Sequence, residues 1–188
     1  MTDVEVRSSP IHGLGVFATR DFSTGETILA IDDSRLVDAE HPLRPELGEY
    51  PYHCDYLAAG KIVLMPSPER HINSSCDPNA FVRWVEGHRS VIARRPIRDG
   101  EEVTYDYIID CHGGEVWQCR CRAARCRGTI VSSFFDLPLA LQHEYMPLVS
   151  AWFIEEHRDR VKALRREGAA EQAVAAEFVF ELRSHKAG

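Results

Sequence analysis

Three cysteines fall close together as Cys119-x-Cys121-x4-Cys126, with Arg120, Arg122, Arg125 and Arg127 between and beside them. Thiols spaced this tightly in a reduced compartment bind metal or carry out redox chemistry. Structural zinc takes four ligands in a closed tetrahedron, so three thiolates demand a fourth ligand from a distant segment and tie that segment to this one. Cys54, Cys76 and Cys111 are the candidates. Cys76 lies in Arg70-His71-Ile72-Asn73-Ser74-Ser75-Cys76-Asp77-Pro78-Asn79. Pro78 fixes φ there and Asp77 and Asn79 hydrogen-bond their own backbone, so the chain turns and can aim the thiol outward. Cys54 and Cys111 stand among aromatic or aliphatic neighbours, where a free cysteine packs as a small apolar residue.

A chain of 188 residues can bury about 70% of its unfolded surface and needs no disulfides to hold a core. Its formal net charge of -7 argues against a nucleic-acid binder working through a general basic field and favours a locally basic partner. Residues 1–10 lack the basic start and apolar run of a signal peptide, and no apolar stretch reaches membrane-spanning length. The expectation is a soluble, intracellular protein without membrane or direct nucleic-acid contact, cytoplasmic or, in a eukaryote, nuclear.

Short apolar runs between turn residues predict strands at Val16 to Ala18, Ile28 to Ile31, Ile62 to Met65, Phe81 to Val85, Val91 to Ala93 and Val103 to Tyr107. Residues 32–56, richer in Pro, Asp and Glu, read as an insertion with a helical turn. An internal echo links Phe22-Ser23-Thr24-Gly25-Glu26 with Ile97-Arg98-Asp99-Gly100-Glu101: an apolar residue, then a Gly-Glu turn into a strand. After about Ser133, Leu, Ala, Glu and Arg replace the turn residues. Asp136 is placed as the cap of a first helix, Pro147 as its separation from a second, and Gly168 as the second one's end. A third helix is expected over Ala169 to Leu182, with Ala170, Val174 and Phe178 on one stripe that packs on the main domain or forms a homodimer face.

The motifs Ile11 to Phe17, His71 to Asn79 and Glu102 to Tyr107, taken together, resemble those of the SET-domain protein lysine methyltransferases that carry a post-SET zinc motif. Ile11-His12-Gly13-Leu14-Gly15-Val16-Phe17 is similar to that family's opening glycine motif. His71 to Asn79 is similar to its central Asn-His-Ser-Cys-x-Pro-Asn motif, and Glu102-Val103-Thr104-Tyr105-Asp106-Tyr107 to its closing motif. The resemblance implies a mainly β fold of small curled sheets with a knot-like crossing, over residues 1–108. A post-SET zinc segment at 109–134 and a helical extension at 135–188 would follow. It further implies S-adenosylmethionine held by the backbone around His12, Gly13 and Leu14 and by Asn73 and Ser74. Structural zinc would be held by Cys76, Cys119, Cys121 and Cys126. Two positions depart from the pattern: Ser74 replaces the usual His, and His71 the usual aromatic residue.

By the same resemblance Tyr107 is the leading catalytic residue. Tyr105 would limit the number of methyl groups, and Tyr52 would be a further channel tyrosine, with Tyr50 and Tyr56 as alternatives. Pattern alone would make Tyr105 and Tyr107 two half-buried aromatics on one face of a strand. The implied activity is mono- or dimethylation of a lysine in a basic protein segment such as a histone tail. Asp106, Asp110 and Glu115 would lie near the channel mouth and favour such a segment. Two other classes compete. One is an inactive, zinc-pinned peptide-binding module, which the loss of the central His keeps open. The other is a nucleic-acid-binding zinc knuckle built on the four arginines, which fits the acidic whole poorly.

Overall fold

The structure, a computed structural model, describes residues 3–168 and divides into two compact units, Met1–Phe134 and Phe135–Gly188. Four small sheets make up the first unit. One sheet has the order β1 (Val4–Ser8), β2 (Leu14–Ala18), β9 (Glu102–Tyr105), β6 (Asn73–Ser74). Its pairs are antiparallel except β6 with β9, which run parallel and set Asn73 beside Thr104 and Ser74 beside Tyr105. A second, antiparallel sheet has the order β3 (Thr27–Ala30), β8 (His88–Ala93), β7 (Ala80–Val85). β4 (Cys54–Tyr56) pairs with β5 (Ile62–Leu64), and β10 (His112–Gln118) with β11 (Thr129–Ser133). All six expected strands are present with shifted ends.

The strands are short because each apolar run ends at a turn residue. Glu86 and Gly87 join β7 to β8 with φ of 50° and 84°. Positive φ at both loop positions is the two-residue hairpin geometry whose twist matches that of the flanking strands. β8 occupies the centre of its sheet, and its residues from Arg89 to Ala93 are buried without alternation. The two echoing segments pair with each other: Phe22 and Ile97, both buried, exchange backbone hydrogen bonds at 2.8 and 3.0 Å. In each segment the Glu after the glycine accepts the backbone N–H three residues earlier, Ser23 to Glu26 at 2.9 Å and Arg98 to Glu101 at 3.1 Å. The core beneath these sheets contains Val16, Phe22, Ile72, Val91, Ile97 and Val103.

Residues 32–56 contain two 3-10 turns, Pro45–Leu47 and Pro51–His53, before β4. Two ion pairs anchor this segment internally: Glu49 receives Arg35 at 2.7 Å and Arg44 at 2.5 Å. It is fastened to β8 by the buried Arg89, which reaches both Asp33, at 2.7 Å, and Asp55.

The second unit holds α1 (Leu139–Tyr145), α2 (Ala151–Glu156) and a helical stretch at 158–168. Leu141, Tyr145, Phe153, Val161 and Leu164 are among its buried apolar residues. Asp136 lies in a 3-10 turn ahead of Pro138, which takes the capping position instead. Pro147 separates the first two helices as expected, inside the 3-10 turn Met146–Leu148. The second helix does not run unbroken toward Gly168. It interrupts at His157 (φ -110°), whose ring packs 4.4 Å from Phe153 and 5.4 Å from Phe135. The helix expected over Ala169 to Leu182, and the dimer face drawn on it, lie outside the described residues. No helix among the described residues is long and apolar enough to cross a membrane.

Candidate functional site

β9 ends at Tyr105, so Tyr107 sits in the turn beyond it and not on the same strand face. The two rings still meet, with centroids 5.3 Å apart and planes tilted by 53°. Tyr105 packs against the core, whereas Tyr107 leaves 42% of its surface exposed. Its hydroxyl is nonetheless turned inward, donating to the Ile72 carbonyl at 2.6 Å. Burial of that end, with Asp55 and Glu102 nearby, pushes the Tyr107 phenol up to about 12. Burial also raises Tyr105, helped by Tyr107 and Asp55. Both hydroxyls are therefore neutral at physiological pH and orient a partner without adding charge. Tyr52 is not brought into this pair. It is 74% exposed, stacked on Tyr50 at 5.2 Å and edge-on to His53 at 4.5 Å.

The parallel pairing of β6 with β9 places Ser74, one of the expected cofactor residues, beside Tyr105 and its neighbour Asn73 beside Thr104. Asn73 is buried, and its Nδ2 is within donor distance of the carbonyls of His12 (3.2 Å) and Leu14 (2.9 Å) and of Glu102 Oε1 (2.8 Å). Ser74, at the position of the usual His, has its hydroxyl accepting the Tyr107 backbone N–H at 3.3 Å. The loop itself is braced by Ser9, whose hydroxyl donates to Glu102 at 2.7 Å and accepts the Ile11 N–H at 2.9 Å. Its outer side is open: a side chain at Gly13 would meet nothing within 4 Å, and Leu14 is half exposed. A braced loop with an open outer side leaves room for a nucleoside-type ligand, so His12 to Leu14 with Asn73 fit the expected cofactor.

Ser9 and Glu102 are structural partners that sequence reasoning passed over, and the Asn79 side chain, expected to bond its own backbone in the turn, reaches β9 instead. Asn79 is buried and closes the central motif onto β9, donating to the Glu102 carbonyl at 2.8 Å and accepting the Thr104 N–H at 2.8 Å. The signal for Glu102 was its place in the closing motif, where it had been given no partner. Gly15 carries a second signal: a Cβ there would lie 2.3 Å from Glu102 Oε1.

The sulfurs of Cys76, Cys119, Cys121 and Cys126 all lie within 4.8 Å of one another. The Cys76 and Cys119 sulfurs are 3.7 Å apart. A tetrahedron with metal–sulfur bonds of about 2.3 Å has sulfur–sulfur edges of about 3.8 Å, so the group can hold a metal ion. Burial raises the thiols of Cys76 and Cys119. Cys121 is buried too, but backbone donors from neighbouring residues and the adjacent thiols draw it down to about 7. Cys54 and Cys111 lie apart from the cluster, directed at the carbonyls of Tyr50 and Ser132. Arg127 turns inward: its backbone N–H reaches Cys76 Sγ at 3.4 Å and its guanidinium reaches Asp106 at 2.8 Å. Asp106 is buried in that pair and is not an acidic group presented at a channel mouth, as the sequence had suggested.

The SET domain family model matches residues 13–108, just over half of the chain. This chain belongs to the SET domain family. Among relatives of this SET-domain chain, "Histone-lysine N-methyltransferase 2B" of Homo sapiens is 33% identical over 135 residues, spanning 66% of this chain and 5% of the human protein. "Histone-lysine N-methyltransferase trithorax" of Drosophila virilis is 32% identical over 134 residues, again 66% of this chain, and 4% of the fly protein. "Histone-lysine N-methyltransferase, H3 lysine-36 specific" of Candida albicans is 44% identical over 136 residues, 65% of this chain and 16% of that protein. The chain thus spans a small part of the length of the relatives it matches. A solved structure from Plasmodium falciparum aligns with a TM-score of 0.45 and 20% identity, covering 57% of this chain and 94% of that one.

Proposed function

We propose that this chain is a protein-lysine N-methyltransferase that uses S-adenosylmethionine as donor. The observation that carries the reading is the β6–β9 pairing, which sets Asn73 and its glycine loop on one side of Ser74 and the Tyr105–Tyr107 pair on the other. Bound at His12 to Leu14 and Asn73, S-adenosylmethionine would supply a methyl group activated on a positively charged sulfur. The protein's part is to present an uncharged amine to it. A lysine of pKa about 10.4 costs roughly 4 to 5 kcal/mol to hold neutral at pH 7 without help. Desolvation beside the tyrosine rings lowers that cost, because burial disfavours the ammonium. Tyr107 then orients the amine lone pair through a neutral hydroxyl, and fixed alignment supplies most of the acceleration. No covalent enzyme intermediate is required.

Zinc in the four-thiolate group is structural in this scheme, since four protein ligands leave no position for water. The proposed organisation is a SET domain at 1–108, a post-SET metal segment at 109–134 and a helical extension at 135–188. The names of the relatives favour a histone tail as the basic segment and hence, in a eukaryote, the nucleus. The Tyr105 hydroxyl would hold a water in the room that a further methyl group needs, so the product is mono- or dimethyllysine.

The test is transfer of labelled methyl from S-adenosylmethionine to a mixture of histones and whole-cell protein, comparing the natural chain with Tyr107→Phe. Label on lysine that falls by about 10²-fold in the variant supports the reading. A folded, zinc-bearing chain that binds S-adenosylmethionine and transfers nothing to any lysine overturns it in favour of a peptide-binding module.

A further inference from the structure

Between the two tyrosines stands Asp106, its side chain fully buried and both its oxygens engaged by one nitrogen of Arg127: Nη2 lies 2.9 Å from Oδ1 and 2.8 Å from Oδ2. Asp106 Oδ1 also accepts the Ile108 N–H at 3.2 Å, so the carboxylate organises the turn that carries Tyr107. Arg127 immediately follows the thiol of Cys126, and its own backbone N–H is bonded to Cys76 Sγ at 3.4 Å. One residue therefore touches the thiol group with its main chain and the tyrosine turn with its side chain. Its guanidinium is itself only 15% exposed.

We propose that Arg127 is a positioning residue that couples metal occupancy of the four-thiol group to the conformation of the Tyr105–Tyr107 turn. The reasoning rests on the reading of the thiols as a metal site, and it does not depend on the chain's activity. Separating a buried carboxylate from its counter-ion is costly, since removing one partner leaves an uncompensated charge in a dry environment. The position of Arg127 is set by Cys126 on one side and by the N–H to Cys76 sulfur bond on the other. Opening the thiol group displaces both anchors, and the Asp106 carboxylate has to follow the guanidinium or seek water. Either movement shifts the turn between the two phenols, including the Tyr107 N–H bond to Ser74. Coupling of this kind is reciprocal, so loosening the turn must also loosen the metal.

That reciprocity gives a test that needs no substrate. Zinc affinity of the full chain is measured by equilibrium competition with a chromogenic chelator for the natural sequence, Asp106→Asn, Arg127→Ala and the double variant. Asp106→Asn and Arg127→Ala are each expected to bind zinc about tenfold more weakly, and the double variant no more weakly than the single ones, since both remove the same ion pair. Arg127→Lys keeps the charge on a differently shaped head group, so its affinity falls between. Hydrogen exchange supplies the other direction: residues 104–109 lose protection when zinc is removed from the natural chain, while β7 and β8 keep theirs. The proposal is overturned if folded Asp106→Asn binds zinc within a factor of about two of the natural affinity, if the double variant shows the product of the single effects, or if exchange at 104–109 ignores zinc. A folded chain that takes up no zinc overturns it together with the metal reading. Failure of methyl transfer bears on neither measurement.

Discussion

Gly15 is the position where a single methyl group should do the most measurable damage to the glycine loop. Its φ is not positive, so alanine brings no backbone strain, and the cost is purely one of space. The new Cβ would meet Glu102 Oε1 at 2.3 Å and Ser9 Cβ at 2.9 Å, where ordinary contacts lie at 3.4 to 4 Å. The carboxylate has to retreat by about 1 Å, and its hydrogen bonds to Ser9 Oγ (2.7 Å) and Asn73 Nδ2 (2.8 Å) stretch out of range. Overpacking costs about 1 to 3 kcal/mol, and each hydrogen bond to a charged group about 1.5 to 3. Some of the second figure is regained from water because Glu102 is only partly buried. A net loss of about 3 to 5 kcal/mol follows, near 10 °C in the unfolding midpoint of a chain of this size. In a Glu102→Ala background the hardest collision is gone, and Gly15→Ala should cost about 1 kcal/mol, the residue of the Ser9 contact. Thermal and urea unfolding of the four variants in the cycle measure this coupling. A Gly15→Ala midpoint within about 2 °C of the natural chain, or an equal penalty in both backgrounds, would refute the steric argument.

Two further outcomes follow from the site. Tyr105→Phe should retain transfer and carry product one methyl further, read by mass spectrometry of the modified lysine; an unchanged methyl number would remove Tyr105 as the limiting residue. Stability should also depend on pH through His53 and His71. Burial first, and then Arg70, lower both imidazoles below their ordinary 6.5. Their contribution to stability is present above that value and is lost as pH falls through their lower folded values, because the unfolded chain takes up protons first. His71→Phe should flatten the fall in the urea midpoint below pH 6.5, and an unaltered slope would exclude His71 as a source of it.

Much of this arrangement could be read from local pattern. The Gly25-Glu26 and Gly100-Glu101 turns were predicted from composition alone, because a positive φ next to a β-branched residue is a property of a few consecutive residues. Cys76 was distinguished from Cys54 and Cys111 by its Asp-Pro-Asn turn, and the four sulfurs do converge. Other features left no such trace. The β10–β11 hairpin was not expected because Gly113 and Gly114 break the apolar alternation of its first strand. Tyr107 looked like a strand residue because alternation does not mark where a strand stops. Asp106 looked like a surface acid because its partner, Arg127, is 21 residues away.

The sequence by itself determined which segments turn, which run extended, which residues are capable of holding metal, and which motifs place the chain in its family. These are properties of short stretches, where backbone sterics and side-chain chemistry act within a few bonds. Only the tertiary structure decided that Ser9 reaches Glu102 across 93 residues, that Arg127 closes on Asp106, and that Tyr52 stays at the surface away from the paired tyrosines. A buried polar group must find a partner, but the rule is satisfied by any donor or acceptor the folded chain brings within reach. Which one it is depends on the path of the backbone through the whole sheet, so the pairing is written in the packing and not in any one stretch of residues.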